Sequence, residues 1–220
     1  MAIGWAIGAA RCVILGLPFM PRHSIVVRIT HWLTALSFVS LLVSGIAILL
    51  AHPRLYWGET GNLDTASLLD LPLPFILTGQ SGWGRYLHFQ SAWLSVLTGM
   101  VYVVHGVASA HLRKDLVQAD SRKPDSYNPL QRVTYLTVVF IAFPLMIWTG
   151  LAMSPAVTSV LPVLVTVWGG QQSARTIHFF LADFLVLFLL IHVVMVWRAG
   201  FSAKLWPMIL GRRLGRQENS

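Results

Sequence analysis

The sequence predicts an all-α membrane protein, a four-transmembrane-helix bundle, and three observations carry that prediction. The 220 residues are 55% hydrophobic and only 11% charged, a composition suited to lipid rather than to a soluble core. Four apolar stretches, 30–50, 87–108, 133–153 and 177–197, run almost without Lys or Arg. Each is long enough to cross a hydrocarbon layer ~30 Å thick as a helix. The charges are also sided. Thirteen of the sixteen basic residues fall on one face of this topology, and only Arg54, Arg85 and Arg175 fall on the other. The runs are continuously apolar rather than alternating, which argues against a β-barrel.

Taken in order, residues 1–22 form an N-terminal segment that is apolar but interrupted by Arg11. Met20-Pro21-Arg22 reads as a start, so this segment is expected to lie upstream of the true one; a cleaved leader is the rival reading. Residues 23–200 form the membrane domain and 201–220 a basic tail. The first outer loop, 51–86, carries Tyr56, Trp57, Glu59, Asp64 and Asp70, and the second, 154–176, is apolar with Pro155 and Pro162. Either could lie along the membrane face as a docking surface, and either could be a plain connection. The inner loop 109–132 is polar and solvated. The positive-inside rule places both termini in the cytoplasm. The net charge of +8 is juxtamembrane, which suits anionic lipid and not nucleic acid.

Cys12 is the one cysteine. An internal disulfide, a cysteine-ligated iron–sulfur cluster and a covalent c-type haem are therefore excluded. Histidine is the residue type that carries chemistry here. His178 and His192 stand fourteen residues apart in one apolar run, nearly on one helical face and ~21 Å apart along the axis. Ionisable groups at membrane depth are rare and usually functional, and a same-face pair at two depths suggests two stacked cofactors.

The other spans supply partners. At the outer level stand His88 and His178; at the inner level stand His31, His105 and His192. Two imidazoles on facing helices can hold a haem iron from both axial sides. The outer pair is His88 and His178. For the inner pair, His105 follows His88 by seventeen residues, ~100° around the helix, so His31–His192 is preferred. His105 remains the alternative inner ligand, a quinone-site residue or a packed histidine. His23, His52 and His111 read as solvent or interface residues.

Two further patterns agree with this map. Arg28, Arg85 and Arg175 each precede a histidine by three residues, one turn away on the same side, where guanidinium groups could pair with haem propionates. Gly45 and Gly99 follow His31 and His88 by fourteen and eleven residues. Both lie nearly on the histidine's face, where a missing side chain makes room for a flat macrocycle. Asp183, the one acid inside a span, sits ~140° from His178 and is given no role.

With these residues, His31, His88 and the His178/His192 pair around a ligand-free third span, the chain resembles the bacterial cytochrome b561 superfamily. Within it, the chain is similar to the di-haem cytochrome b subunits of nickel–iron hydrogenase, formate dehydrogenase and thiosulfate reductase. The Arg-Leu-Tyr-Trp-Gly run at 54–58 leans to the thiosulfate-reductase type. The resemblance implies two haem b groups, a bacterial inner membrane, exchange with a quinone, and a periplasmic molybdopterin or hydrogenase-type oxidoreductase as partner. Trp32, His105 and Arg198 are candidates for the quinone site. The expected function is electron passage between the quinone pool and that partner, with substrate chemistry left to the partner. The alternatives are a transporter or channel with histidines lining an ion or metal path, and a haem-free anchor.

Overall fold

The computed structural model describes residues 24–61, 64–72, 81–109 and 129–211. The expectations about residues 1–22, His23, His111 and most of the inner loop fall outside them. In chain order the elements are α1 (Ile25–Ala51), β1 (Arg54–Leu55), β2 (Leu69–Asp70), α2 (Ser81–Ala108) and α3 (Pro129–Thr137). A π-helical turn (Val138–Ala142) then leads into α4 (Phe143–Ala152), α5 (Pro155–Thr158), α6 (Val163–Thr166), α7 (Gln171–Arg198) and α8 (Phe201–Leu210).

Four helical segments are long and apolar enough to cross a membrane: Ile25–Ala51, Gly82–Ala108, Val133–Ala152 and Gln171–Arg198. The four-helix prediction holds, with helices longer than the apolar runs that announced them. Helical backbone needs only its own hydrogen bonds and continues past the last apolar residue.

The third span is interrupted for a covalent reason. Pro144 lacks an N–H and its ring crowds the carbonyl four residues back. The turn ahead of it widens, and the Phe143 N–H donates to the Val138 carbonyl, five residues away. Such π turns are the usual way a helix absorbs a local insult without ending.

The chain divides into two compact units. The first spans Leu33–Leu189. Its core has two parts: Val138, Ala142 and Leu185 packed with Phe38, Phe143, Met146 and Phe188, and a smaller group of Ala152, Val165 and Ala174 with Met153 and Trp168. Much of what is buried is small or hydroxylic, including Ser37, Ser44, Ser91, Thr98, Thr149, Ser173 and Thr176. Small residues let membrane helices approach closely, and hydroxyls bond across them. The Thr34 hydroxyl meets that of Thr98 across α1 and α2 at 3.2 Å. Gly84 lies close enough to α1 that an added Cβ would stand 3.2 Å from the Cβ of Ala47.

Parts of the two outer loops, expected either as docking surfaces or as plain connections, are folded onto the helix ends. Residues 154–170 form two short helices and a turn, held where Trp148 Nε1 donates to the Leu164 carbonyl and the Trp148 and Trp168 rings meet edge to face. Residues 52–58 are bound to the N-terminus of α7. Gly58 accepts from the backbone N–H groups of Gln172 and Ser173, and its own N–H donates to Ser173 Oγ at 2.8 Å. Thr176 Oγ1 donates to the Tyr56 carbonyl at 2.6 Å. These bonds answer the orphan N–H groups that every helix start presents. In the Arg-Leu-Tyr-Trp-Gly run, Leu55 and Tyr56 are buried and Trp57 is exposed. Arg54 pairs with Asp70 across the two-stranded ribbon at 3.0 Å, both side chains largely in solvent.

The second unit comprises the chain up to Trp32 together with the chain from Leu190 onward. The segment expected as a simple basic tail begins with α8, entered at Gly200 and closed at Gly211, both with positive φ. Its last carbonyls, which a helix leaves unpaired, are taken by α1. Arg28 donates to Met208 and Ile209, and Trp32 Nε1 donates to Met208.

Candidate functional site

The Leu33–Leu189 unit brings His88 and His178 together. Their ring centroids lie 6.2 Å apart with the planes at 61°. Each ring is held from behind by a hydroxyl on the neighbouring helix. Ser44 Oγ, on α1, lies 3.0 Å from His88 Nδ1. Thr149 Oγ1, on α4, lies 2.9 Å from His178 Nδ1. Both hydroxyl residues are fully buried.

A glycine follows each hydroxyl. A Cβ at Gly45 would meet His88 Cε1 at 3.7 Å, and one at Gly150 would meet His178 Cε1 at 3.6 Å. Each imidazole thus borders the glycine beside the residue that holds it. Gly45 was expected to serve His31 and instead borders His88. At Gly99 an added Cβ would meet nothing within 4 Å.

Around the same end, Arg175 donates from its guanidinium to the carbonyls of Arg54 and His52. Arg85 is exposed at the start of α2 and near enough to His52 to act on it electrostatically. Burial first, then the charges of Arg175 and Arg85, hold the His52 imidazole below its ordinary pKa. His52, expected as a bystander, is a neutral ring beside two guanidinium groups at pH 7.

The second unit holds the other predicted pair. His31, nearly one turn past Arg28 and packed edge to face on Trp32, lies within electrostatic reach of His192. Arg28, read from sequence as a propionate partner, is engaged by the α8 carbonyls. Trp32, read as a quinone candidate, shares that engagement. His105 sits in the last turn of α2, where its carbonyl accepts from the N–H and the hydroxyl of Ser109. Asp183 is exposed, about 200° around α7 from the buried Leu185 and so on the side away from the third span.

Two adjacent imidazoles, each with Nδ1 bonded to a hydroxyl, form a donor set for a transition-metal centre. Sequence reasoning found the rings but missed Ser44, Thr149 and Gly150. The available signal was the repeated pair of a hydroxyl residue followed by glycine, Ser44-Gly45 and Thr149-Gly150, in two spans. Among the described residues no group of three or more His, Cys, Asp or Glu could hold a bare metal ion. That donor pattern suits a macrocycle that brings its own equatorial ligands.

Comparison with known proteins agrees. A family profile described as prokaryotic cytochrome b561 matches residues 22–211. The chain is 28% identical over 191 residues to a putative protein-methionine-sulfoxide reductase subunit, YedZ1, of Azospira oryzae, covering 77% of this chain and 86% of that protein. No solved structure matches. The profile spans most of the chain, including all four apolar helices and the histidines they carry, and the protein therefore belongs to the prokaryotic cytochrome b561 family of membrane haem-binding electron-transfer proteins.

Proposed function

We propose that this chain is a di-haem b-type cytochrome that passes electrons between the quinone pool and a periplasmic redox partner. One haem b would lie between His88 and His178 on the periplasmic side, and the other between His31 and His192 on the cytoplasmic side of a bacterial inner membrane.

The 6.2 Å between the His88 and His178 centroids carries the reading. Two imidazoles on opposite sides of one metal stand roughly 6 Å apart between ring centres, given metal–nitrogen bonds of about 2 Å and ring radii of about 1 Å. Ordinary aromatic pairs reach the same range; what sets this pair apart is the buried hydroxyl that holds each Nδ1. When bound there, haem supplies a one-electron redox couple whose potential is set by its axial ligands, their hydrogen bonds and the surrounding burial. The protein's part is to present Nε2 of each ring, to leave space beside it at Gly45 and Gly150, and to offer cationic side chains for the carboxylates at the rim. Of the three arginines read as propionate partners, Arg85 is the one in solvent at that rim, and Arg175 lies beside it with its guanidinium already bonded to loop carbonyls.

The partner follows from the comparison. The Azospira oryzae relative is named as a subunit of a protein-methionine-sulfoxide reductase. This chain is accordingly read as the membrane subunit of a reductase, with the partner docking over the 52–70 and 154–170 segments. Exposed Trp57, Val160, Leu161 and Val167 on those segments supply the apolar area such contact needs.

An optical spectrum tests the first step. Purified protein made with ample haem should show reduced-minus-oxidised b-type bands and two haems per chain; a colourless protein overturns the proposal. The His31–His192 assignment has its own test. His31→Ala should lose one haem and His105→Ala none, by haem content of the purified variants. Loss of a haem in His105→Ala with retention in His31→Ala would transfer the ligand role to His105.

A further inference from the structure

The two hydroxyls behind the His88–His178 pair repeat one arrangement, and its hydrogen bonds point to one tautomer. Ser44 Oγ lies 2.7 Å from the Ser40 carbonyl and 3.1 Å from that of Leu41. Thr149 Oγ1 lies 2.9 Å from the Leu145 carbonyl and 3.1 Å from that of Met146. A carbonyl oxygen only accepts, so a hydroxyl proton directed four residues back along its own helix leaves a lone pair turned toward the histidine. In that arrangement the imidazole Nδ1–H is the donor. That arrangement places the proton on Nδ1. A neutral imidazole carries one ring proton, so Nε2 of each ring is left with its lone pair exposed.

We infer that Ser44 and Thr149 are positioning residues for the two axial ligands of the His88–His178 centre: each locks its histidine in the Nδ1–H tautomer and sets the donor strength of Nε2. The inference rests on the proposed ligation of one haem by these two rings. Second partners of this kind commonly orient metal-bound histidine and tune the metal. The acceptor here is a neutral hydroxyl rather than a carboxylate. It polarises the N–H mildly and leaves the ring an imidazole, not an imidazolate. The paired glycines belong to the same device. A Cβ after the hydroxyl would stand in van der Waals contact with the Cε1 edge of the ring. One helix of each neighbouring pair, α1 beside α2 and α4 beside α7, carries one copy, so both axial ligands are held alike.

The test uses the full-length purified chain and two readouts that packing alone would leave in place: the ferric low-spin EPR spectrum and the redox titration of each haem. Thr149→Val keeps the shape and removes the acceptor. It should keep both haems, raise the midpoint potential of one, because a ligand without its hydrogen bond donates less to ferric iron, and shift that haem's largest g value. The other haem should be unchanged. Thr149→Ser should restore both values, and Ser44→Ala should perturb the same haem. If Thr149→Val fails to accumulate, Ser44→Ala decides alone. Unaltered spectra and potentials in both variants, or a shift confined to the haem that His192→Ala removes, overturn the inference. Retention of both haems in His178→Ala overturns instead the ligation on which it rests.

Discussion

Replacing His178 by alanine is expected to take the protein from two haems to one. The ring stands 6.2 Å from its partner with Nδ1 bonded to a buried hydroxyl, and no other described histidine is shown beside that pair. His192 lies fourteen residues from His178 along α7, ~21 Å along the axis, and His105 lies at the far end of α2, seventeen residues from His88, ~25 Å along the axis. Nothing nearby can take over the vacated position. The remaining His88 would offer one axial bond, and the alanine would leave a polar void facing the buried Thr149 hydroxyl, whose partner is gone. His88→Ala should remove the same haem. The double variant should lose no more than either single one, since both act on one centre and residues of one unit are not additive. Haem content by pyridine haemochromogen, with the EPR signal that disappears in each variant, reads this directly. Two haems retained in either single variant would sink the assignment.

The rings were legible in the sequence because helices have a period. Fourteen residues between His178 and His192 translate into a face and a depth without any knowledge of neighbours. Pairing His88 with His178 needed only the assumption that ligands meet at equal depth. The hydroxyls were not legible. Ser44 and Thr149 are ordinary residues for a membrane helix, and their partners lie 44 and 29 positions away in the chain, a relation that only the packing of α1 on α2 and of α4 on α7 creates. Gly45 shows the same limit. Its spacing from His31 was real, but the side that matters faces the neighbouring helix and a different histidine.

The arginines show a related limit. Arg-x-x-His reads as a local motif, whereas the guanidinium groups of Arg28 and Arg175 are claimed by carbonyls at α8 and at residues 52–54. Those are chain ends and loops whose unpaired carbonyls have no signature in composition. Helix boundaries failed at the other extreme. The apolar run measures the hydrocarbon, not the helix, so α2 and α7 each begin six residues before the predicted start.

Gly170→Ala is expected to be among the most disruptive single-methyl changes in the chain. Gly170 lies in the turn before α7 with φ of +126°, a conformation that costs an L residue ~1–3 kcal/mol. The backbone there also touches another segment: a Cβ would overlap the main chain of Gly58 and Glu59. The methyl group cannot be accommodated by a rotamer change, because its obstacle is backbone. The 52–58 segment would have to lift. Lifting it would strain the Gly58 bonds to Gln172 and Ser173, the Tyr56–Thr176 bond and the carbonyls that hold Arg175. With neutral hydrogen bonds worth about 1 kcal/mol each, the combined loss is about 2–4 kcal/mol. That loss falls on the first two turns of α7, the stretch that positions His178. The expected result is a lower Tm in detergent and preferential loss of the haem that His178→Ala removes, with the other haem retained. Gly82→Ala is the control. It too replaces a glycine by alanine, but it lies in helix α2 with open space around it, where alanine is favoured over glycine, so Tm and haem content should stay level or rise slightly. Equal behaviour of the two variants would mean that the 52–58 segment does not bear on the haem site, and that α7 holds His178 unaided.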